Sequence, residues 1–251
     1  MDMLNPISGE IFYIDKPLGW TSFDAVKRIR TVLTKRTHKK KLKVGHAGTL
    51  DPLATGVLIV CTGRATKNID TIQAGEKEYV TTLQLGSTTP SFDLETEVDA
   101  HFPTQHINLE LINSIVPQFI GEIQQVPPAF SACKVDGKRA YKIARKGRHV
   151  ELKAKTLIIK ELEIIDFDAV NYRLKFRVVC SKGTYIRALA RDIGVALGSG
   201  AHLIALRRTR VGNIHESNCR KIDDIINFLQ NEPMVTLEEF ESPESDLNIE
   251  F

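Results

Sequence analysis

The chain has 251 residues, of which 42% are hydrophobic and 26% charged, and its formal net charge is +3. These values are typical of an ordinary globular protein, and no apolar stretch approaches the ~18 residues of a membrane span, so we expect a cytoplasmic protein. The four cysteines form no Cys-x-x-Cys pair, which favours neither a zinc site nor a disulfide framework.

Hydrophobic spacing and turn residues predict a mixture of strands and helices. In chain order, we predict a strand at 11–15, a helix at 21–33, a strand at 79–85, a helix at 108–119, strands at 156–167 and 173–180, and a helix at 186–197. Residues 34–43 form a polar insertion, and residues 231–251 contain no convincing core, which predicts a mobile acidic tail. Because strands and helices do not alternate regularly, the pattern indicates the α+β class.

The most informative segment is residues 45–56, in which three glycines and Pro52 surround Asp51. Pro52 fixes its own φ and biases Asp51 away from the α region, while glycine allows conformations closed to other residues. The segment therefore predicts a constrained loop that can hardly be helix or regular strand, a suitable place for a reactive carboxylate. Taken alone, an Asp before a Pro is more commonly a turn or helix-cap residue.

Basic residues are concentrated in two clusters. Residues 27–43 contain nine lysines and arginines and residues 134–160 contain ten, whereas the chain after Lys221 contains nine acids and no basic residue. A basic run is usually a solvated charged face. Two such runs in a chain that also carries a constrained carboxylate favour a polyanionic substrate, most simply a nucleic acid.

Three further residues suit a carboxylate site. Tyr79 opens a predicted strand, and Tyr185 and Arg187 lie at a strand-to-helix corner. Each alone has an ordinary explanation as a packed or surface side chain. Together, an arginine can keep an enclosed aspartate charged, and aromatic faces can stack on a base extruded from RNA.

Five segments, in order along the chain, match the motifs of one known family. They are Lys16-Pro17-x-Gly19-x-Thr21-Ser22, residues 45–56, Lys77-Glu78-Tyr79, residues 180–187 and residues 200–208. Over residues 10–215 the chain resembles the TruB-type pseudouridine synthases of tRNA. The resemblance implies isomerisation of uridine 55 in the T loop of tRNA to pseudouridine, with no cofactor and no metal.

The resemblance also implies roles for single residues. Asp51 is the catalytic carboxylate, which attacks the ribose C1′ or the base C6 or acts in a related way. Tyr79 stacks on the target base and assists proton transfer, and Arg187 pairs with Asp51. Tyr185 and Leu206 line the pocket.

Three more positions match the family near the substrate. His46 packs against a displaced base, although a loop histidine with local hydrogen bonds is the ordinary alternative. Asp93 matches a position close to the substrate, and Lys16 belongs to the N-terminal motif that we expect to contribute to substrate binding.

The expected fold is the α+β pseudouridine synthase fold, a mixed and mainly antiparallel sheet flanked by helices and loops. We expect a catalytic domain over 1–230 with an RNA-gripping insertion at about 124–152, and an acidic tail over 231–251 in place of a full C-terminal RNA-binding domain. The insertion at 34–43 is longer than in the family and could contact phosphates, and Pro90 replaces a more usual acid. The expected partner is the T stem-loop of tRNA, with no membrane and no obligate protein partner. We expect the protein to be a monomer.

Two alternatives stay open. One is a relative that modifies ribosomal RNA under the direction of a guide RNA, for which we expect a further C-terminal domain. The other is a non-catalytic tRNA-binding or tRNA-folding module, in which Asp51 is only structural.

Overall fold

The computed structural model describes residues 3–131, 133–135, 138–140, 143 and 152–242. The chain divides into two compact units, the first formed by Met1–Gly75 with Arg208–Phe251 and the second by Glu76–Arg207. Within the described ranges, no helix is long and apolar enough to cross a membrane. The predicted domain division and the expected monomer stay predictions.

The bounds of the elements follow in chain order. The strands are β1 (Ile11–Lys16), β2 (Val44–Ala47), β3 (Ala54–Thr62), β4 (Lys77–Leu85), β5 (Ser87–Thr88), β6 (Ala100–His101), β7 (Gly121–Gln125), β8 (Lys134–Val135), β9 (Lys138–Arg139), β10 (Lys155–Asp168), β11 (Arg173–Cys180), β12 (Ala201–Val211), β13 (Ile214–His215) and β14 (Arg220–Lys221). The α-helices are α1 (Ser22–Thr37), α2 (Ile69–Ala74), α3 (Leu109–Ile115), α4 (Ile186–Ala196), α5 (Ile222–Asn231) and α6 (Leu237–Glu241).

In the first unit, β3 lies between β1 and β2 and pairs with both in antiparallel fashion, while β1 pairs with β14 in parallel. Almost every residue of β3 is buried, as expected for a strand that is covered on both faces. Its side chains Val57, Ile59 and Cys61 pack with Ala47 and Val211 into a hydrophobic cluster. This cluster supports the strand that follows the Asp51 loop.

The predicted helix at 21–33 is confirmed as α1, which extends to Thr37. It begins with a capping box, in which the Thr21 hydroxyl accepts from the Asp24 backbone N–H and the Asp24 carboxylate accepts from Thr21. Ala25, Val26 and Ile29 form part of its buried face. The helix continues past Leu33 because Thr37 in its last turn is completely buried and its hydroxyl donates to the Leu33 carbonyl at 2.7 Å.

In the second unit, β4, β11, β10 and β7 follow one another as antiparallel neighbours. The three strands predicted here are confirmed with ends shifted by a few residues at most, and α4 confirms the predicted helix at 186–197. The predicted helix at 108–119 is α3 followed by a 3₁₀ turn that contains Pro117. Both units are built mainly from antiparallel pairs with helices, which confirms the α+β class and the mainly antiparallel sheet.

The prediction of an unpacked segment after residue 230 is wrong for residues 232–242. Met234 is 7% exposed and forms an isolated bridge with Leu4, and Thr236 caps α6. The Phe240 ring lies 5.5 Å from Lys39 Nζ and 5.8 Å from Arg64 Cζ. These apolar side chains are too few to show a period, so the sequence could not reveal that distant segments cover them. Residues 243–251, and most of the basic stretch at 136–151, lie outside the described residues.

Candidate active site

Asp51 lies in the first unit, on a loop that is shorter than predicted. Residues 44–47 belong to β2 and residues 54–62 to β3, so the irregular part is limited to residues 48–53. The Asp51 carbonyl accepts from the Ala54 N–H at 3.1 Å. One residue earlier, Leu50 is clamped by Ser22, whose hydroxyl accepts from the Leu50 N–H at 2.8 Å and donates to its carbonyl at 3.1 Å. The half-buried Asp51 side chain therefore projects from a backbone that is fixed on both sides.

Lys16 holds the same loop from the end of β1. Its ammonium is completely buried and donates to three carbonyls, those of Pro17 at 2.9 Å, Trp20 at 2.6 Å and Pro52 at 3.4 Å. Burial lowers the pKa of Lys16 from 10.5 to about 8, and the Asp51 charge opposes part of that change. Lys16 is thus a positioning residue for the Asp51 loop, and its expected part in substrate binding stays a prediction.

This buried ammonium predicts a pH dependence of stability. Because Lys16 loses its proton near pH 8 when folded but near 10.5 when unfolded, the unfolded state binds more protons between these values. The free energy of unfolding should therefore rise with pH across this window, by about 3 kcal/mol, since one pKa unit is worth ~1.4 kcal/mol. Urea unfolding of the wild type and of Lys16→Met at several pH values checks this. A rise of equal size in Lys16→Met would assign the effect to other groups.

Arg208 supports the loop from β12. Its side chain is 1% exposed, and its Nε donates to the Val57 carbonyl at 2.8 Å while one Nη donates to the Gly48 carbonyl at 3.1 Å. Gly48 and Gly56 have φ values of +91° and +97°, which favour glycine, and a Cβ on Gly56 would collide with the Arg208 backbone. The glycines of this motif therefore permit a left-handed backbone and a close approach to Arg208.

His46 is half-buried on β2, within two residues of the glycine that Arg208 binds. Burial is the main cause that lowers the pKa of His46, and the charge of Arg208 lowers it further. A histidine held neutral can present its ring face to a base without the cost of desolvating an extra charge. This environment agrees with the stacking role that the resemblance implies, which itself stays a prediction.

In the second unit, Arg187 on α4 is 3% exposed and connects three segments. Its Nε lies 3.6 Å from the Asp93 carboxylate, its Nη1 donates to the Ser91 carbonyl at 3.2 Å, and its Nη2 donates to the Phe130 carbonyl at 3.0 Å. Asp93 is itself only 5% exposed. The guanidinium thus compensates a buried carboxylate and fixes two loops, and its pairing with Asp51 stays a prediction.

Tyr185 precedes α4 and is held by Gln125, a completely buried side chain at the end of β7. The Gln125 amide accepts from the Tyr185 N–H at 2.9 Å and donates to its carbonyl at 3.2 Å. Burial raises the pKa of the Tyr185 phenol, which a hydrogen bond to the Ser131 side chain partly offsets. The phenol therefore stays protonated near neutral pH.

Tyr79 and Leu206 lie on β4 and β12. Tyr79 is 8% exposed and sits opposite Val178 of β11. Leu206 is half-buried and follows Ala205, whose carbonyl accepts from the Thr81 hydroxyl of β4 at 2.7 Å. The structure thus brings Arg187 and Asp93 together in the second unit, and Lys16, His46 and Asp51 onto neighbouring segments of the first.

Sequence reasoning missed three residues that position these groups. Ser22 and Arg208 fall inside matched motifs but carried no assigned role, and Gln125 was noted only as part of the insertion. Buried arginine and glutamine side chains are uncommon, so composition gives no signal for them. Only the positions of Ser22 and Arg208 inside matched motifs indicated that these two residues could belong to the site.

Two family models match the chain. Residues 35–186 match the N-terminal domain of the TruB family of pseudouridylate synthases, and residues 187–243 match the C-terminal domain of tRNA pseudouridylate synthase B. Among curated proteins, tRNA pseudouridine synthase B of Parabacteroides distasonis is 61% identical over 93% of this chain and 98% of its own. The protein of the same name from Flavobacterium johnsoniae is 52% identical over 84% of this chain and 92% of its own.

Solved structures also resemble this chain. One is a Cbf5-Nop10-Gar1 complex, with 29% identity and a TM-score of 0.67 over 89% of this chain. Another is an H/ACA RNP bound to a substrate RNA that contains 2′-deoxyuridine, with 28% identity and a TM-score of 0.63. This chain spans about half the length of those solved chains, 55% and 54%.

Proposed function

The chain belongs to the TruB family of pseudouridylate synthases, and from that premise we propose that it converts uridine 55 in the T loop of tRNA to pseudouridine. The curated relatives that match this chain over nearly their whole length have names that specify tRNA. The excess of basic residues before residue 222 suits a polyanionic substrate.

The reaction rearranges the substrate without adding or removing atoms overall. The bond between ribose C1′ and base N1 breaks, the uracil turns within the site, and a bond between C1′ and C5 forms. The proton of C5 leaves to solvent, and N1 takes one up. A carboxylate can assist by attacking C1′ or C6 and leaving again, and this chain offers Asp51 for that step.

The observation that carries the proposal is the fixed backbone around Asp51. Donors from Ser22, Lys16 and Arg208 bind carbonyls at residues 50, 52 and 48 of the loop. A reactive group must be held to within about half an ångström of its productive geometry, which such a set of contacts can provide. A loop built only as a turn would not need two buried cations to hold it, because burying a charge is costly.

The other predicted residues have proposed roles in the same reaction. Tyr79 stacks on the target base and assists proton transfer, while Tyr185 and Leu206 line the pocket. Arg187 neutralises the Asp51 carboxylate in addition to binding Asp93. His46 packs against a base that the flipped uridine leaves behind, so that the cost of unstacking is partly recovered.

Release of tritium from tRNA labelled at uridine C5 tests the proposal. A transcript in which cytidine replaces uridine 55 is the matched control, since it keeps the fold and charge of the RNA. We expect release from the first transcript and none from the second. Binding without release would favour a tRNA-folding module, and release from both would place the target at another uridine.

Guide-directed modification of ribosomal RNA is the second candidate, because two solved H/ACA structures match 89% of this chain. Their identity of 28 to 29% is well below the 45 to 62% of the curated proteins whose names specify tRNA. Activity on a bare tRNA transcript, with no second RNA added, would decide for the proposed function.

The lysine run of the insertion predicts a salt effect. Lys40, Lys41 and Lys43 are exposed, whereas Lys39 faces the Phe240 ring. Replacing all four with Ala should weaken tRNA binding and lower the slope of log K against log salt by about one for each phosphate that the variant no longer binds. We expect a decrease of about two to three on that basis, and an unchanged slope would make the run an ordinary solvated loop.

A further inference from the structure

Helix α1 presents a row of cations that the proposed function does not use. Lys27, Arg28 and Lys35 are exposed on it, and within the described residues no carboxylate forms an ion pair with any of the three. The nearby Asp24 is engaged with Thr21 in the capping box. The charge of Asp24 also attracts Lys27, but the three cations outnumber this acid, so this face of α1 is net positive and favours an anion.

Two grooves run along this helix and share part of their lining. The first, of about 440 Å³, is lined by Gly19, Trp20, Asp24, Lys27, Arg28 and Thr31. The second, of about 280 Å³, is lined by Arg28, Thr31, Val32, Lys35, Arg36, Ile226 and Gln230. Because Arg28 and Thr31 line both, the two grooves adjoin each other along α1, and we name them together the α1 furrow.

Not every cation in the α1 furrow is available to a ligand. Arg36 donates to the carbonyls of Leu229, Gln230 and Glu232, where it caps the end of α5. Lys27, Arg28 and Lys35 remain, and Lys27 and Lys35 are about 12 Å apart along the helix axis. Because consecutive phosphates of one strand are separated by a whole sugar-phosphate repeat, a row of this length can contact about two or three of them.

The α1 furrow begins next to the Asp51 loop. The Gly19 N–H donates to the Pro52 carbonyl at 2.9 Å, and Lys16 donates to the carbonyls of both Trp20 and Pro52. The half-buried indole of Trp20 lines the first groove and can stack on a base, which is worth about 1 to 3 kcal/mol. At its other end, α1 leads into the lysine run at 39–43.

We propose that the α1 furrow binds a ribose–phosphate strand of the substrate RNA, on the side of the uridine that is delivered to Asp51. The inference rests on the proposed function, which requires an RNA strand at the Asp51 loop. Continuity with that loop, the unpaired cation row and an aromatic face together favour RNA over an acidic protein, which would need no stacking platform.

Matched charge variants test the proposal. Lys27→Gln/Lys35→Gln removes two charges from the α1 furrow, and glutamine keeps the helix propensity of lysine. Lys175→Gln/Lys221→Gln removes the same charge from two exposed lysines that do not line the furrow. Binding of a tRNA transcript is measured between about 50 and 200 mM salt. In the furrow variant, the slope of log K against log salt should decrease by about one to two and the affinity should fall about tenfold, whereas neither should change in the control. Equal slopes in the two variants would overturn the proposal and leave the furrow to an acidic protein.

A second readout uses Trp20, the one tryptophan of the chain. Its fluorescence should be quenched when tRNA binds the wild type or the control variant. The RNA concentration at half-maximal quenching should equal the concentration at half-maximal binding. Unchanged fluorescence with bound tRNA would contradict stacking in the α1 furrow. Pseudouridine formation by the wild type is scored in the same samples. If pseudouridine forms but the two variants have equal salt slopes, the furrow proposal is refuted and the proposed reaction stands. If Trp20 is quenched and the slopes differ but no pseudouridine forms, the proposed reaction is refuted and the furrow proposal stands.

Discussion

Asp51→Asn is expected to reduce tritium release from tRNA labelled at uridine C5 by about 10⁴-fold or more, as loss of a nucleophile does in other enzymes. The amide that replaces the carboxylate has nearly the same volume but neither its charge nor its nucleophilicity. The backbone contacts from Ser22, Lys16 and Arg208 do not involve the Asp51 side chain. We therefore expect tRNA affinity to stay within about twofold of the wild type.

Asp70→Asn is the matched control, since Asp70 is an exposed acid in the first turn of α2 in the same unit. It should retain full tritium release. Thermal unfolding of both variants separates chemistry from folding. Loss of release together with loss of binding and of thermal stability would make Asp51 a structural residue, and retained release would remove it from the mechanism.

The sequence predicts those parts of the fold in which many residues repeat one pattern. Helix α4 shows an apolar stripe over three turns and β11 alternates over its first six residues, so a few exceptions do not hide the period. The segment at 232–242 has too few apolar residues for a period, and its packing depends on partners at Leu4, Lys39 and Arg64. Such contacts are long-range, and no local rule predicts them.

The candidate site shows the same division. The glycines and Pro52 predict a constrained loop around Asp51, because backbone freedom is a local property of each residue. The donors that hold the loop come from residues 16, 22 and 208, which only the fold brings to it. Lys16 is an extreme case, since a lysine is almost never fully buried unless its charge is compensated.

Arg187→Lys is expected to lower the free energy of unfolding by about 2 to 4 kcal/mol and tritium release by at least about 100-fold. A single ammonium cannot reach Asp93 and the Ser91 and Phe130 carbonyls as the guanidinium does, and a poorly compensated buried carboxylate is costly. Urea unfolding and single-turnover tritium release measure the two effects separately.

Arg191→Lys is the control one turn later on the same helix. Arg191 is partly exposed, pairs with the adjacent Asp192 and lies over the Phe92 ring, so its replacement should cost less than about 1 kcal/mol.

Asp93→Asn isolates the ion pair, because it removes the charge partner while the two carbonyl contacts of Arg187 can persist. If Arg187 also pairs with Asp51, Arg187→Lys must lose far more release than Asp93→Asn at equal stability. Losses that simply follow the unfolding free energy in both variants would limit Arg187 to fixing the two loops.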